Sequence, residues 1–254
     1  MEQAWPQRLW VVRHGESAGN VARDAAHLAG GTVIDIAGRD VDVPLSALGE
    51  EQAEALAQWF AALPQESRPN VIVSSPYLRA RRTAEAVAKA GLAESGLTIF
   101  VDERLREKEF GILDRLTRLG IEQMHPEQAS IRRTLGKFYH RPPGGESWCD
   151  VILRLRSALN TLSLHLAGRR VLIVAHEVVI MCFRYLLEEL DEATLMAIGA
   201  RSDCANCGIT DYVYAPRPGG KGGSLQLRQF NFTVPLEREG TPVTSAPDAS
   251  VGAK

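Results

Sequence analysis

RLWVVRHGE, residues 8–16, decides the fold. Arg8–Arg13 is a short apolar run with β-branched valines, ended abruptly by His14-Gly15, and it reads as a buried strand. Three further runs repeat that design: Asn70–Ser74 (NVIVS), Leu97–Val101 (LTIFV) and Val171–Ala175 (VLIVA). Helical spacing fills the intervals. In Ser46–Leu63, residues Leu48, Ala55, Leu56, Trp59, Phe60 and Leu63 recur on one side behind a Ser cap. Pro76, taken as a first helical position, opens an Ala- and Arg-rich helix to about Ala90. Trp148–Leu166 is a long amphipathic helix with Val151, Ile152, Leu155, Leu159, Leu162 and Leu166 on one side. Gly208–Tyr214 and Ser224–Phe232 read as two late strands joined by the turn-rich PRPGGKGG. Uninterrupted apolar strands alternating with amphipathic helices predict an α/β fold with a mainly parallel sheet covered on both faces. Ligands then belong at the carboxyl ends of the strands.

The 254 residues, 45% hydrophobic, suffice for a well-buried core. We expect one domain over residues 1–238, with a lid-like insert at about 112–147 and a disordered tail over 239–254. The 29 basic and 31 acidic residues nearly cancel, leaving no global field to hold nucleic acid or an anionic membrane. MEQAWPQRLW lacks a basic segment leading into an apolar run, so a soluble cytoplasmic protein is expected. Cysteines 149, 182, 204 and 207 are too few for a disulfide framework, which fits a reducing compartment. Cys204 and Cys207 form one C-x-x-C without a second pair, so we read incidental thiols rather than a metal site. No exposed apolar stripe stands out to fix an oligomeric state.

Four strand exits each carry a group suited to phosphoryl transfer: Arg13-His14-Gly15-Glu16, Arg79, Glu107 and His176. A phosphoryl group in transfer spreads negative charge over three equatorial oxygens, so cationic donors aimed there do most of the work. Arg13, Arg79 and His176 can supply them. A neutral imidazole at His14 is a competent nucleophile when one nitrogen's proton is engaged elsewhere. Glu107 is the candidate acid and base, and Gly15 permits close backbone approach.

These residues resemble the histidine phosphatase superfamily, which includes cofactor-dependent phosphoglycerate mutases and the bisphosphatase domain of the bifunctional fructose enzyme. RHGESAGN at 13–20 is similar to R-H-G-E-x-x-x-N, and PLSALGEEQAEAL at 44–56 to P-L-T-x-x-G-x-x-Q-A. SSPYLRARRTAEA at 74–86 resembles S-S-P-x-x-R-A-x-x-T-A, and LREKEFG at 105–111 resembles L-x-E-x-x-x-G. PPGGESWCDVILRL resembles P-x-G-E-S before a long helix, and VLIVAH ends on the second histidine. The resemblance spans residues 8–215. It implies a three-layer α/β/α sandwich and a phosphorylated small-molecule substrate, with no metal or other cofactor required. It makes His14 the phosphorylated residue, Arg13 and Arg79 phosphate ligands, Glu107 the proton donor, and Ser17 and Asn20 further phosphate contacts.

Three segments depart from the pattern. Glu177 stands where many relatives have Gly, and it either favours the start of the next helix or meets the substrate. The segment between Asn20 and Pro44 lacks the E-N-R-F-T-G-W run associated with the mutases. Ile131–Ser147 is basic and aromatic, a candidate lid. There Arg132 and Arg133 resemble a mutase arginine pair, whereas Tyr139 and Arg141 resemble the bisphosphatase's sugar-phosphate site. His27, His125, His140 and His165 are bystanders. The expected activity is hydrolysis of a phosphomonoester. Its rivals are a 2,3-bisphosphoglycerate-dependent phosphoglycerate mutase and a phospho-ligand-binding module.

Overall fold

The computed structural model describes residues 5–90, 97, 99–201, 203–217 and 222–245. Six strands form one sheet: β1 (Arg8–Arg13), β2 (Val71–Ser74), β3 (Ile99–Val101), β4 (Arg170–Ala175), β5 (Ile209–Pro216) and β6 (Gly223–Phe232). Their order is β3-β2-β4-β1-β5-β6. The first four in that order run parallel, while β5 and β6 close one side as antiparallel strands. The mainly parallel sheet expected from the apolar runs is present. Residues 218–221 of the PRPGGKGG segment lie outside the described residues.

Helices α1 (Ala18–Leu28), α2 (Ala47–Ala62), α3 (Leu78–Lys89), α4 (Arg118–Met124) and α5 (Pro126–Tyr139) precede residue 140. They are followed by α6 (Trp148–His165), α7 (Glu177–Leu187), α8 (Glu192–Arg201) and α9 (Val234–Arg238). Side chains alternate across a strand, so each apolar run feeds two cores. Leu9, Val11, Val71, Val73, Val171 and Ile173 pack with Leu155 and Leu159 of α6 and Val179 and Phe183 of α7. Trp10, Val12, Ile72, Leu172 and Val174 pack on the other face with Leu56 and Phe60 of α2 and Ala80 and Ala84 of α3. The result is the three-layer α/β/α sandwich. Each fully buried Leu or Phe contributes about 1.5–3 kcal/mol relative to exposure, which is why both faces must be covered. Among the described residues no helix is long and apolar enough to cross a membrane.

Two expectations are corrected. Helix α3 begins at Leu78 with Tyr77 as its N-cap, two residues later than a helix opening on Pro76. At that point Ser75 Oγ accepts the Tyr77 N–H at 3.3 Å across a bend at Pro76 and Tyr77. The tail is not disordered from Glu239, because Thr241, Pro242 and Thr244 are hydrogen-bonded to the fold. Gln52 Nε2 donates to the Pro242 carbonyl at 2.9 Å and to Thr244 Oγ1 at 3.0 Å. The Asn206 N–H donates to the Thr244 carbonyl at 2.8 Å. Small residues suggested a loose tail, but buried amides capture its backbone. Residues 246–254 lie outside the described residues.

Opposite the strand ends stands a wall made from two segments. The Ile34 N–H donates to the Arg115 carbonyl at 2.8 Å, the Thr117 N–H donates to the Thr32 carbonyl at 3.1 Å, and Val33 bridges Leu116. Arg115, at φ 60°, turns its guanidinium onto the carbonyls of Ile36 and Gly38. Within α5, Gly136 at φ 80° kinks the helix before the chain reaches Tyr139.

Candidate active site

Strand register brings the two histidines together. Arg13 pairs with Ala175 across β1 and β4, so the next residues, His14 and His176, leave the sheet side by side. Their ring centroids are 5.1 Å apart, and the His14 N–H donates to the Ala175 carbonyl at 3.1 Å. Ser74 pairs with Val174, which sets Ser75 beside His176, and their Oγ and Nε2 atoms are 2.8 Å apart.

The His14 tautomer follows from its neighbours. Nδ1 lies 2.6 Å from the Gly15 carbonyl, which can only accept, so Nδ1 carries the proton. Nε2 receives the Arg79 Nε–H at 3.2 Å, and a guanidinium can only donate, so Nε2 holds a lone pair. His14 is therefore a neutral imidazole whose outer nitrogen faces a cation. Tyr77 packs its ring 4.8 Å from the Arg79 guanidinium and 4.9 Å from His176, and its hydroxyl donates to Glu109 at 3.2 Å. Burial, with the Glu109 carboxylate beside it, pushes that phenol well above its usual range.

Arg13 is completely buried, and its Nη1 donates to the Cys204 carbonyl at 2.5 Å. The Cys207 N–H donates back to the Arg13 carbonyl at 3.0 Å. The C-x-x-C segment thus backs the first strand exit with its main chain. Burial drives both thiols far above the ordinary cysteine range, leaving them protonated. The glycine of the first motif is explained by the second. A Cβ on Gly15 would lie 2.4 Å from the Gly49 carbonyl oxygen, and one on Gly49 would lie 1.8 Å from the Glu16 carbonyl oxygen. The close approach that Gly15 makes is to the first turn of α2, whereas the sequence pointed to an approach at the phosphoryl group. Glu16 also holds that turn, accepting from Ser46 Oγ at 2.6 Å while its N–H donates to Gln52 Oε1 at 2.8 Å.

Ser17 and Asn20 are buried and form the capping box of α1: the Asn20 N–H donates to Ser17 Oγ at 3.1 Å, and the Ser17 N–H donates to Asn20 Oδ1 at 2.8 Å. Glu107 is buried behind the third strand, with Oε1 accepting the Lys108 N–H at 2.7 Å. Its charge reaches Tyr77 and Lys108. The Glu107 loop is fastened by Glu146 of the G-E-S segment and Arg154 of α6. Arg154 Nη2 donates to the Glu107 carbonyl at 3.2 Å, while Arg154 and Arg106 bond Glu146 at 2.9 Å each. Burial works to raise the Glu146 carboxyl, but the hydrogen bonds and charge of these arginines hold it below its usual range.

The lid divides the remaining candidates. Arg132 lines a small cavity with Lys108, Lys137, His140 and Trp148, beside the Glu107 loop. Burial lowers the Lys108 amine to about 8 against the upward pull of Glu107. His140, read as a bystander, belongs to this cluster, and its Nε2 lies 3.2 Å from Gln128 Oε1. Tyr139 and Arg141 are not brought to the histidines. Tyr139 is exposed and hydrogen-bonded to Glu192, and Arg141 pairs with Asp150 at the start of α6, its Nε donating at 2.7 Å. Arg133 is exposed. Glu177 is the first residue of α7, where a carboxylate meets the positive end of the helix.

Four neighbours of this site escaped the sequence reading: Asp40, Ser75, Tyr77 and Lys108. Three of them stand inside or next to quoted motifs, so adjacency was an available signal. Asp40 had none, being one acid among several in a polar stretch. It grips Arg79 with both carboxylate oxygens, at 3.0 and 3.1 Å.

Two buried arginines, Arg13 and Arg79, and the paired histidines His14 and His176 thus stand together at the carboxyl edge of a mainly parallel sheet. The chain belongs to the histidine phosphatase superfamily (branch 1), whose family model matches residues 9–219. It is 31% identical over 217 residues to a probable phosphoglycerate mutase GpmB of Photorhabdus laumondii subsp. laumondii, covering 82% of this chain and 86% of that one. Among solved structures, it is similar to a mycobacterial glucosyl-3-phosphoglycerate phosphatase in complex with inorganic phosphate. The TM-score is 0.66 at 26% identity, over 90% of this chain and 99% of the other. A putative α-ribazole-5'-P phosphatase of Escherichia coli shares the fold, with a TM-score of 0.68 at 20% identity over 89% and 98% of the two chains.

Proposed function

We propose that the protein hydrolyses a small phosphomonoester through a phosphohistidine formed on His14. The observation that carries this reading is the fixed tautomer: Nδ1–H is engaged by Gly15, and the Nε2 lone pair faces Arg79. Nε2 attacks phosphorus in line, the bond from phosphorus to the ester oxygen breaks, and Glu107 gives that oxygen its proton. Water then attacks the phosphohistidine while Glu107 takes its proton, the P–N bond breaks, and inorganic phosphate leaves with His14 restored. Arg13, Arg79 and His176 hold the equatorial oxygens throughout. Ser17 and Asn20 contribute the capped start of α1 beside the phosphate. Each step uses side chains of this chain alone.

Arg132, with Lys108 and Lys137, receives an anionic group on the distal part of the substrate, and Glu177 meets a hydroxyl or amine there. Tyr139 and Arg141 are left out because their partners are Glu192 and Asp150. The chain through Thr244 acts as one domain with 112–147 as its lid. The partner is a small phosphorylated molecule rather than nucleic acid or membrane, and the buried, protonated thiols suit a cytoplasmic enzyme.

The naming of the Photorhabdus relative favours a second reading, a mutase that returns the phosphoryl group to an isomeric hydroxyl. A panel of phosphomonoesters assayed with and without 2,3-bisphosphoglycerate separates the two. Phosphate release independent of the bisphosphate is expected. Isomerisation that requires it would replace hydrolysis by the mutase reading, and phosphate binding without turnover would make the protein a binding module.

A further inference from the structure

The Arg79 guanidinium is contacted on two sides. Its Nε–H points at His14 Nε2, while its outer edge is taken by Asp40. Nη1 donates to the Asp40 carbonyl at 2.8 Å and to Oδ1 at 3.0 Å, and Nη2 donates to Oδ2 at 3.1 Å. Arg79 is 1% exposed, and the Asp40 side chain is 27% exposed. A carboxylate offers a guanidinium fork two coplanar oxygens, the same pairing that two oxygens of a phosphoryl group would make.

The placement of Asp40 is built into the wall. Its main chain belongs to a short 3₁₀ turn, Asp40–Asp42, closed by the Val43 N–H on the Asp40 carbonyl at 3.2 Å. Immediately before that turn, Arg115 holds the carbonyls of Ile36 and Gly38, so the chain is anchored just upstream of the acid. Asp42, two residues on, points elsewhere and pairs with Arg39. One acid of the two is therefore directed at the phosphate arginine.

We propose that Asp40 is an internal competitor for the phosphate socket, a carboxylate that must leave Arg79 before a phosphoryl group can bind there. This rests on Arg79 as a phosphate ligand. In the resting protein Asp40 satisfies the buried guanidinium and preserves its geometry, since a buried cation without an anion is costly. An entering phosphoryl dianion displaces it because a dianion offers more charge and more acceptor oxygens than a carboxylate. The same competition acts on product phosphate, so Asp40 weakens retention of the product as well as of the substrate.

Calorimetric titration of the full chain with inorganic phosphate tests this. Asp40→Asn keeps the size of the side chain and removes its charge, and is expected to bind phosphate about tenfold more tightly than the unaltered protein, the scale of a hydrogen bond to a charged group. A purely structural role predicts the opposite sign, because loosening the wall would weaken binding. Thermal melts without phosphate establish that the variant is folded, and Asp40→Ala provides a second variant with the same expected direction. Unchanged or weaker phosphate binding in the folded variants overturns the proposal. An Arg79→Ala arm separates the two layers of argument. If that variant still binds phosphate as the unaltered protein does, the assignment of Arg79 fails. If it loses phosphate while the Asp40 variants gain nothing, only the competition fails.

Discussion

The strand-exit pocket and the wall that faces it are built by opposite rules. Arg13 ends a β ladder whose register sets His14 and His176 immediately beyond it, with Arg79 in the first turn of α3, and all four are at most 1% exposed. The wall, residues 31–43 and 111–141, is assembled from 3₁₀ turns, short helices and left-handed residues at Gly38, Gly111, Arg115 and Gly136, tied by side chains reaching main-chain carbonyls. Under the proposed function, chemistry that tolerates little displacement falls to the sheet and its buried margin, and selection among substrates falls to a surface that can be rebuilt without disturbing the sheet.

That contrast can be broken by substitution. The largest of three effects belongs to the pocket: Arg79→Ala lowers kcat/KM by about 10²–10³-fold for every phosphomonoester, because it removes a donor to the transferring group. Steady-state kinetics on several esters checks this, and a loss confined to one substrate would move Arg79 from the chemistry to selection. A smaller and selective effect belongs to the wall. Arg132→Ala raises KM about tenfold for substrates with a second anionic group and leaves a simple aryl phosphate unaffected. Equal losses on both substrates would place Arg132 with the pocket.

The smallest effect sharpens the border between the two. Lys108 is displaced from the ordinary lysine value of 10.5 to about 8 by burial. Below about pH 8 the folded protein therefore bears the cost of a buried ammonium. Between about 8 and 10.5 the unfolded chain binds a proton that the folded chain does not, so stability from this group rises with pH. Lys108→Met should accordingly raise the melting temperature at pH 7, with the gain shrinking as pH approaches 10. A gain that stays constant across that range would mean that packing, not charge, sets the difference.

The same contrast explains what could be read from the sequence. His14 and His176 each directly follow an apolar run that forms a buried strand, Glu107 follows the exposed edge strand β3, and Arg79 lies within one turn of β2, so type and position jointly point to an anion site. The Gly15–Gly49 contact was half visible: the need for a glycine was legible, but its partner lies 34 residues away and requires the fold. Pro76 signals a helix start two residues early, and the Ser75 hydroxyl that engages the Tyr77 N–H there also lies 2.8 Å from His176 Nε2, a neighbour only the fold supplies. Asp40 and Asp42 are indistinguishable in RDVDV until a 3₁₀ turn sends one to Arg79 and the other to Arg39. The tail failed for a related reason, since its hold comes from Gln52 and Asn206 rather than from its own composition.

The central claim is that the phosphoryl group passes through Nε2 of His14. Rapid quenching during turnover of a ³²P-labelled phosphomonoester tests it most directly. Label is expected on the protein that is stable in base, labile in acid, mapped to His14 and absent from folded His14→Ala. Label retained in that variant, or turnover by the unaltered protein with no label at any quench time, would contradict it.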